Sequence, residues 1–461
     1  MKTNRVDVAV IGTGTAGMNA YRAAKKHTDS IALIESGPYG TTCARVGCMP
    51  SKLLIAAAES AHVAQEAHVF GIHLTGPLRV DGGQVMRRVQ SERDRFVGFV
   101  TDDVANFDAR HKIRGRARFT GPNRIRVNDE IEIEARSIVI ATGSTPFIPS
   151  TFESVSEFVD TNESVFEWPK LPESVAVFGP GVIGLELGQS LHRLGVRTTV
   201  FGRSARVGPL THPEMQAQVQ SVLGQELNLQ LETKVVSASV QNGRALVSYL
   251  TKEGALKEAS FDRLLISSGR RPQLTDLGLE TTGLTFDTNG VPHHNPRTMQ
   301  CGSSSIFIAG DAMNEHMLLH EASDTGRIAG RNAAMYPHIE PGHRRTPLQI
   351  AFTDPQIAMV GPSFQDLNQP LIGRVSFVGQ GRSRVMAKNK GALFVFGEPG
   401  GRFLGAEMLG PSAEHIGHLL AWSLQQGLSV EEMLDMPFYH PVVEEGLRTA
   451  LRDLDRQIKI S

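Results

Sequence analysis

The chain has 461 residues, more than one ordinary core holds, so two to four domains are expected. Hydrophobic residues make up 40%, charged residues 21%, and the formal net charge is -1, a globular composition without the basic field that nucleic acid would attract. Three cysteines exclude a secreted disulfide framework, and the chain shows neither a signal peptide nor a run of about 18 apolar residues, so a cytoplasmic location away from membranes is expected.

The first element is "VDVAVIGTGTAG", a strand whose β-branched residues run into Gly12, Gly14 and Gly17 at G-x-G-x-x-G spacing. A helix to about His27 and a second apolar run, "IALIE", complete a βαβ unit ending in Glu35. Backbone N–H groups and a helix N-terminus at such a loop hold a pyrophosphate, and an acid at the end of the second strand suits ribose hydroxyls. A plain glycine turn is the structural alternative.

Next comes "GTTCARVGCMPSK", residues 40–52, with two of the three cysteines, Cys43 and Cys48. A Cys-x4-Cys pair at the entry to a helix can close a strained disulfide. Helix N-termini and nearby cations favour the reactive thiolate. Pro50 and Lys52 fit the first turns of a helix through "SKLLIAAAE". A zinc site lacks a second ligand pair at suitable spacing, and two inert thiols are the other alternative.

The βαβ pattern then repeats. "IVIATGSTP" closes the first unit, "VAVFGPGVIGLELG" opens a second at Gly179, Gly181 and Gly184, and "LLISSGRRP" closes it. The second strand of the second unit ends "TTVFGRSAR", with Gly202 where an acid would stand and Arg203 and Arg206 following. A cation there tolerates a 2′-phosphate, so the second site is open to NADP(H), unless both arginines are simply solvated. "IFIAGDAMNE" is a further strand ending in Gly-Asp. From about Pro347 the chain reads as strands and turns, with amphipathic helices at "AEHIGHLLAWSLQQG" and after "FYHPVVEEGLRTAL".

These motifs, taken in order with "HPVVEE" near the C-terminus, resemble the pyridine nucleotide-disulfide oxidoreductases, the family of dihydrolipoamide dehydrogenase, glutathione reductase and mercuric reductase. The likeness spans essentially the whole chain and is greatest to dihydrolipoamide dehydrogenases, through "GVIGLELG", "MLLHEA" and "GRSRVM". It implies an α/β fold of two Rossmann-like three-layer domains plus a C-terminal α+β dimerisation domain. FAD would be bound by 1–150, completed by 273–346, NAD(P) by 151–272, and dimerisation would fall to 347–461.

The resemblance also implies roles. Cys43 would exchange with the substrate and Cys48 would lie against the flavin. Lys52 would sit by the flavin and pair with Glu186. Asp311, Thr42, Ala117, Thr142 and Gly143 would add FAD contacts, and Gly269 would join the nicotinamide site. His440, oriented by Glu445, would be the acid/base and would serve the other subunit of a homodimer. An imidazole ordinarily titrates near neutral pH and suits that task. No metal is expected. The implied substrate is a small dithiol or disulfide, lipoamide free or on a carrier domain, with NAD or NADP as the second cofactor.

Two departures stand out: Thr41 replaces a usual Gly and Arg45 a usual Asn. The missing acid at Gly202 puts the NAD preference of dihydrolipoamide dehydrogenases in question. Val182 stands where glutathione reductases commonly carry Tyr, which favours lipoamide. A mercuric reductase is disfavoured by a C-terminus without a cysteine pair. A glutathione reductase-like enzyme and a non-catalytic FAD-binding assembly subunit are the alternatives. Cys301 is expected to be a packed thiol.

Overall fold

A computed structural model describes residues 2–460. The chain divides into two compact units: Met1–Pro50, Ser91–Phe147 and Gly269–Arg345 form the first, and Ser51–Gln90, Ile148–Ser268 and Thr346–Ser461 the second.

The first unit is built on a seven-stranded sheet. Its parallel part runs Lys112–Arg114, Ile31–Glu35, Lys2–Ile11, Ile131–Ile140 and Ile306–Ile308. Val8, Ala9 and Val10 are fully buried, as expected of a strand covered on both faces. The register sets Ile11 beside Ile34 and Ile140, and Ile308 beside Ile140. The carboxyl ends therefore share one edge, where an open α/β sheet binds its ligand. Helix Thr15–Lys25 leaves this edge; the sequence had carried it to about His27.

Helix Leu319–Met335 brings two acids into the interior of this unit, Glu321 and Asp324, each 3% exposed. Arg344 donates to Glu321 at 2.9 Å and Arg345 to Asp324 at 2.8 Å. Arg344 also donates to Glu315 (2.8 Å), which bonds His294 Nε2 at 3.0 Å. The His294 bond, then Arg344, hold the Glu315 carboxyl down at about 2 against the cost of burial. Burial lowers the pKa of His294, but Glu315 and the Pro292 carbonyl outweigh it and the net shift is upward. Stability from Glu315 is complete above its ordinary 4.5 and is lost as pH falls towards 2. Stability from His294 is complete below its ordinary 6.5 and is lost as pH rises past it. The pair thus contributes most between these values. In thermal unfolding, the deficit of a Glu315→Gln variant is expected to be widest near about pH 5.5 and to narrow on both sides. A pH-independent deficit would refute the assignment.

The second unit holds a five-stranded parallel sheet ordered Asn228–Gln230, Arg197–Phe201, Ser174–Phe178, Arg263–Ile266 and Val159–Asp160. Phe178 lies in register with Phe201 and Ile266, so Gly179, Gly202 and Ser267 emerge side by side. A three-stranded antiparallel sheet, Lys234–Gln241, Arg244–Leu250 and Leu256–Phe261, belongs to the same unit. Phe178 stacks on Phe201 with ring centroids 5.1 Å apart, and Tyr249 and Phe261 meet Phe201 edge-on.

The C-terminal part of this unit is a five-stranded antiparallel sheet: Leu348–Ala351, Gln356–Val360, Phe403–Gly410, Ala392–Gly397 and Leu371–Ser376. Helices Ala413–Gln426 and Glu445–Ile458 bury Ile416, Leu420, Leu447, Leu451 and Leu454 in its core. Buried Glu407 on this sheet accepts from the Thr211 amide (2.8 Å), the Thr211 hydroxyl (2.6 Å) and the His212 amide (3.0 Å). A carboxylate at 1% exposure is tolerated because three donors satisfy it.

Candidate active site

In the first unit two glycines of the Gly-rich turn have no room for side chains. Gly12 has φ +106°, and a Cβ there would lie 2.4 Å from the Ala141 carbonyl oxygen; one at Gly17 would lie 1.9 Å from the Gly12 oxygen. Gly14 caps helix Thr15–Lys25 and faces open space. Glu35 is tied across this turn: it accepts from the Thr13 amide at 2.8 Å, the Thr13 hydroxyl at 2.7 Å and the Gly37 amide at 2.7 Å. Thr13 had gone unnoticed between the glycines.

Along the same edge, Asp311 accepts from Ser144 Oγ at 2.8 Å, and Arg270 donates to Ser144 Oγ (2.8 Å) and to its carbonyl (2.7 Å). Gly143 has φ +74° and open space where a Cβ would be. Thr142 Oγ1 is buried with no partner among the described residues. Ala117, 6% exposed in strand Ala117–Gly121, can offer only its backbone. Gly269 lies at φ +121°, its carbonyl accepting from Phe147 at 3.0 Å. An orphaned hydroxyl, an open glycine edge and a tethered ribose-type acid fit an FAD.

The redox stretch follows. Cys43 is half-buried on the short helix Thr42–Val46, and Cys48, exposed, is the first residue of helix Cys48–Glu66. The positive end of a 19-residue helix favours negative charge on the Cys48 sulfur. The two departures have local reasons. Thr41 is the N-cap of the short helix, its hydroxyl accepting from the Ala44 amide at 3.1 Å, an interaction worth about 1 kcal/mol. The Arg45 stem lies across Gly40, where φ is +108° and a Cβ would sit 3.0 Å from Arg45 Cδ. Burial pushes Cys301, fully buried, up to about 12, as expected of a packed thiol.

In the second unit the same turn recurs. Gly179 has φ +111° with a virtual Cβ 2.5 Å from the Ser267 oxygen, and that of Gly184 falls 2.0 Å from the Gly179 oxygen. Gly181 caps helix Val182–Arg193 and faces open space. One turn into this helix, Glu186 is 4% exposed and accepts from Lys52 Nζ at 2.8 and 2.9 Å. The Phe352 amide donates to the same carboxylate at 2.9 Å, and the Lys52 ammonium lies 4.4 Å from the Phe352 ring centroid. Phe352, which the sequence reading passed over, fixes both members of the pair.

At the far C-terminal end, His440 Nδ1 bonds the Glu445 carboxylate at 3.0 and 3.2 Å. Glu445 also accepts from the Val442 amide (3.3 Å) and from Arg448 (2.9 Å). The His440 bond is the main cause holding the Glu445 carboxyl below its ordinary range. With the carboxylate accepting, Nδ1 carries the proton and Nε2 is left to exchange one. The His440 side chain is 81% exposed.

Residues 6–326 match the model of the pyridine nucleotide-disulphide oxidoreductases, and residues 348–451 match that family's dimerisation domain. The chain belongs to the pyridine nucleotide-disulphide oxidoreductase family. It is 30% identical to a dihydrolipoyl dehydrogenase of Thermus scotoductus, over 99% of this chain and 98% of that one. It is 31% identical to the mitochondrial dihydrolipoyl dehydrogenase of Caenorhabditis elegans, over 97% and 92%. Among solved structures, LpdA from Mycobacterium tuberculosis superposes with TM-score 0.83 at 22% identity, covering 97% of this chain and 99% of that one. The HOCl-induced flavoprotein disulfide reductase RclA from Escherichia coli does so with TM-score 0.80 at 22% identity, again over 97% and 99%. These structures share the fold. As a member of this family the chain is a flavin-dependent oxidoreductase acting on sulfur groups. No helix among the described residues is long and apolar enough to cross a membrane.

Proposed function

We propose that the chain oxidises dihydrolipoamide, free or carried on a protein, to lipoamide, with FAD as resident cofactor and NAD(P)+ as acceptor. The observation that carries this reading is the arrangement of Cys43 and Cys48, one on a capped short helix and the other at the head of the next. The identity to dihydrolipoyl dehydrogenases over nearly the whole chain supports it.

The thiol chemistry balances as follows. His440 Nε2 takes the proton from one substrate thiol, and the thiolate attacks Cys43 Sγ in the oxidised pair. The Cys43–Cys48 bond breaks and Cys48 leaves as thiolate. The second substrate sulfur then attacks its partner in the mixed disulfide, closing the lipoyl ring and freeing Cys43. Two electrons now reside on the protein's dithiol. FAD, when bound, supplies their passage from that dithiol to the nicotinamide. Glu35, Asp311 and Thr142 would hold it. In the homodimer proposed from the dimerisation domain, each chain lends its His440 to the other. An NADPH-driven reductase of another small disulfide would use the same thiols in reverse.

Steady-state rates separate the two. Dihydrolipoamide with NAD+ or NADP+ is expected to give a kcat/KM at least about tenfold above that for glutathione disulfide with NADPH. The reverse ranking would overturn the lipoamide reading. Silence with every pair would leave a binding subunit.

A further inference from the structure

The strand Arg197–Phe201 ends where a dinucleotide site distinguishes one ribose from another. A carboxylate there accepts from both ribose hydroxyls and repels a 2′-phosphate; a cation does the opposite. The structure gives a steric reason for the missing acid. A Cβ on Gly202 would lie 2.9 Å from Leu231 Cδ2, 3.0 Å from Pro180 Cγ and 3.2 Å from the Ser204 carbonyl oxygen. The nearby acid Glu232, whose amide donates to the Ser204 oxygen, is ion-paired with Lys252.

Two cations occupy the loop instead. Arg203 is exposed, and its guanidinium makes no hydrogen bond or ion pair among the described residues. Arg206 Nη2 donates to the Pro209 carbonyl at 3.0 Å. Arg206 also lines a cavity of about 500 Å³ whose wall includes Gly181 and Val182, at the start of helix Val182–Arg193. The arginine thus shares a cavity with the second Gly-rich turn. Asp366 is on the same wall, so within the cavity Arg206 faces one acid, and Arg203 adds a second cation on the exposed loop beside it.

The loop that carries them is held in place. Gln216 accepts from the Val207 amide at 2.9 Å and donates to its carbonyl at 3.0 Å. Gln220 donates to the Ala205 carbonyl at 2.6 Å, and the Gly208 amide to Pro180 at 2.8 Å. A clamp ordered beforehand loses little freedom on binding.

We infer that this chain selects NADP(H) over NAD(H), with Arg203 and Arg206 gripping the 2′-phosphate of the adenosine ribose. The inference rests on the proposed nicotinamide nucleotide site at Gly179–Gly184, but not on the identity of the disulfide substrate. Isothermal titration of the FAD-loaded protein with 2′,5′-ADP and with 5′-AMP tests it. The bisphosphate is expected to bind at least about tenfold tighter, the step that one charge-assisted contact supplies. The Arg203→Ala/Arg206→Ala variant is expected to erase that ratio while 5′-AMP binds as before. Anaerobic loss of flavin absorbance on mixing with NADPH or NADH should show the same preference, and needs no disulfide. A chain that fails with dihydrolipoamide but keeps this preference would sink the lipoamide reading alone. Equal binding of the two adenylates in the wild type, or an unchanged ratio in the double variant, overturns the inference.

Discussion

Cys43→Ser and Cys48→Ser variants are each expected to lose dithiol turnover by about a thousandfold or more, while flavin reduction by the nicotinamide nucleotide persists. The two losses have different causes. Without Cys43 no sulfur is left to form the mixed disulfide; without Cys48 there is no Cys43–Cys48 disulfide for the substrate thiolate to open, and in the reverse direction no thiol to release the substrate from Cys43. Acid quenching of Cys48→Ser after exposure to the oxidised substrate and mass measurement should therefore trap a mixed disulfide on Cys43, and the Cys43→Ser variant should carry far less substrate adduct. Cys301→Ser is the control. That thiol is fully buried and held protonated by burial, so its loss should leave turnover intact. Turnover surviving in either single variant would remove the redox pair from the mechanism.

The parts of this site that were legible in the sequence are those whose cause is local. A glycine turn between a strand and a helix is written in consecutive residues, so Gly12–Gly17 and Gly179–Gly184 announced both sheet edges. The start of helix Cys48–Glu66 was legible for the same reason, through Pro50 and the apolar run behind it. What stayed hidden depends on distant pairing. Ser144 is an ordinary serine until the fold sets Asp311 and Arg270 against it. Phe352 has no pattern of its own, because its backbone amide and its ring face act, not its side-chain polarity. The pairing of Lys52 with Glu186, 134 residues apart, came only from family resemblance. The buried acids of helix Leu319–Met335 carry no signal in the sequence, because the arginines that neutralise them, Arg344 and Arg345, reach them only through the fold.

The departures at Thr41 and Arg45 show the same division. In the sequence Thr41 stands only as a departure from the usual Gly. The structure turns it into a cap that satisfies a backbone donor of a five-residue helix. Helix Thr42–Val46 has too few internal hydrogen bonds to persist alone, so the cap helps hold Cys43 in place. For Arg45 only the stem is explained, by the space that Gly40 leaves for it.

The largest effect after the cysteines is expected at the C-terminal dyad. His440→Gln should lower dihydrolipoamide turnover by about 10²- to 10⁴-fold, the usual share of a general base, without changing flavin reduction by the nucleotide. Glu445 is the positioning residue, and its replacement should separate orientation from proton transfer. It sits at the first position of helix Glu445–Ile458, which is anchored by Leu447, Leu451 and Leu454, so the carboxylate is fixed while the imidazole beyond it stands in solvent. Arg448 and the Val442 amide hold that carboxylate from its other sides. Glu445→Gln should keep the shape but lose the charge that stabilises the imidazolium. A smaller loss of kcat than in His440→Gln is expected. A loss as large as that of His440→Gln would overturn the division of roles. Mixing inactive His440→Gln chains with inactive Cys43→Ser chains then tests the dimer. If each redox pair uses the imidazole of the other chain, a heterodimer brings one intact His440 to one intact pair, and about half of the wild-type activity per heterodimer should return. No recovery after verified subunit exchange would place the base within its own chain.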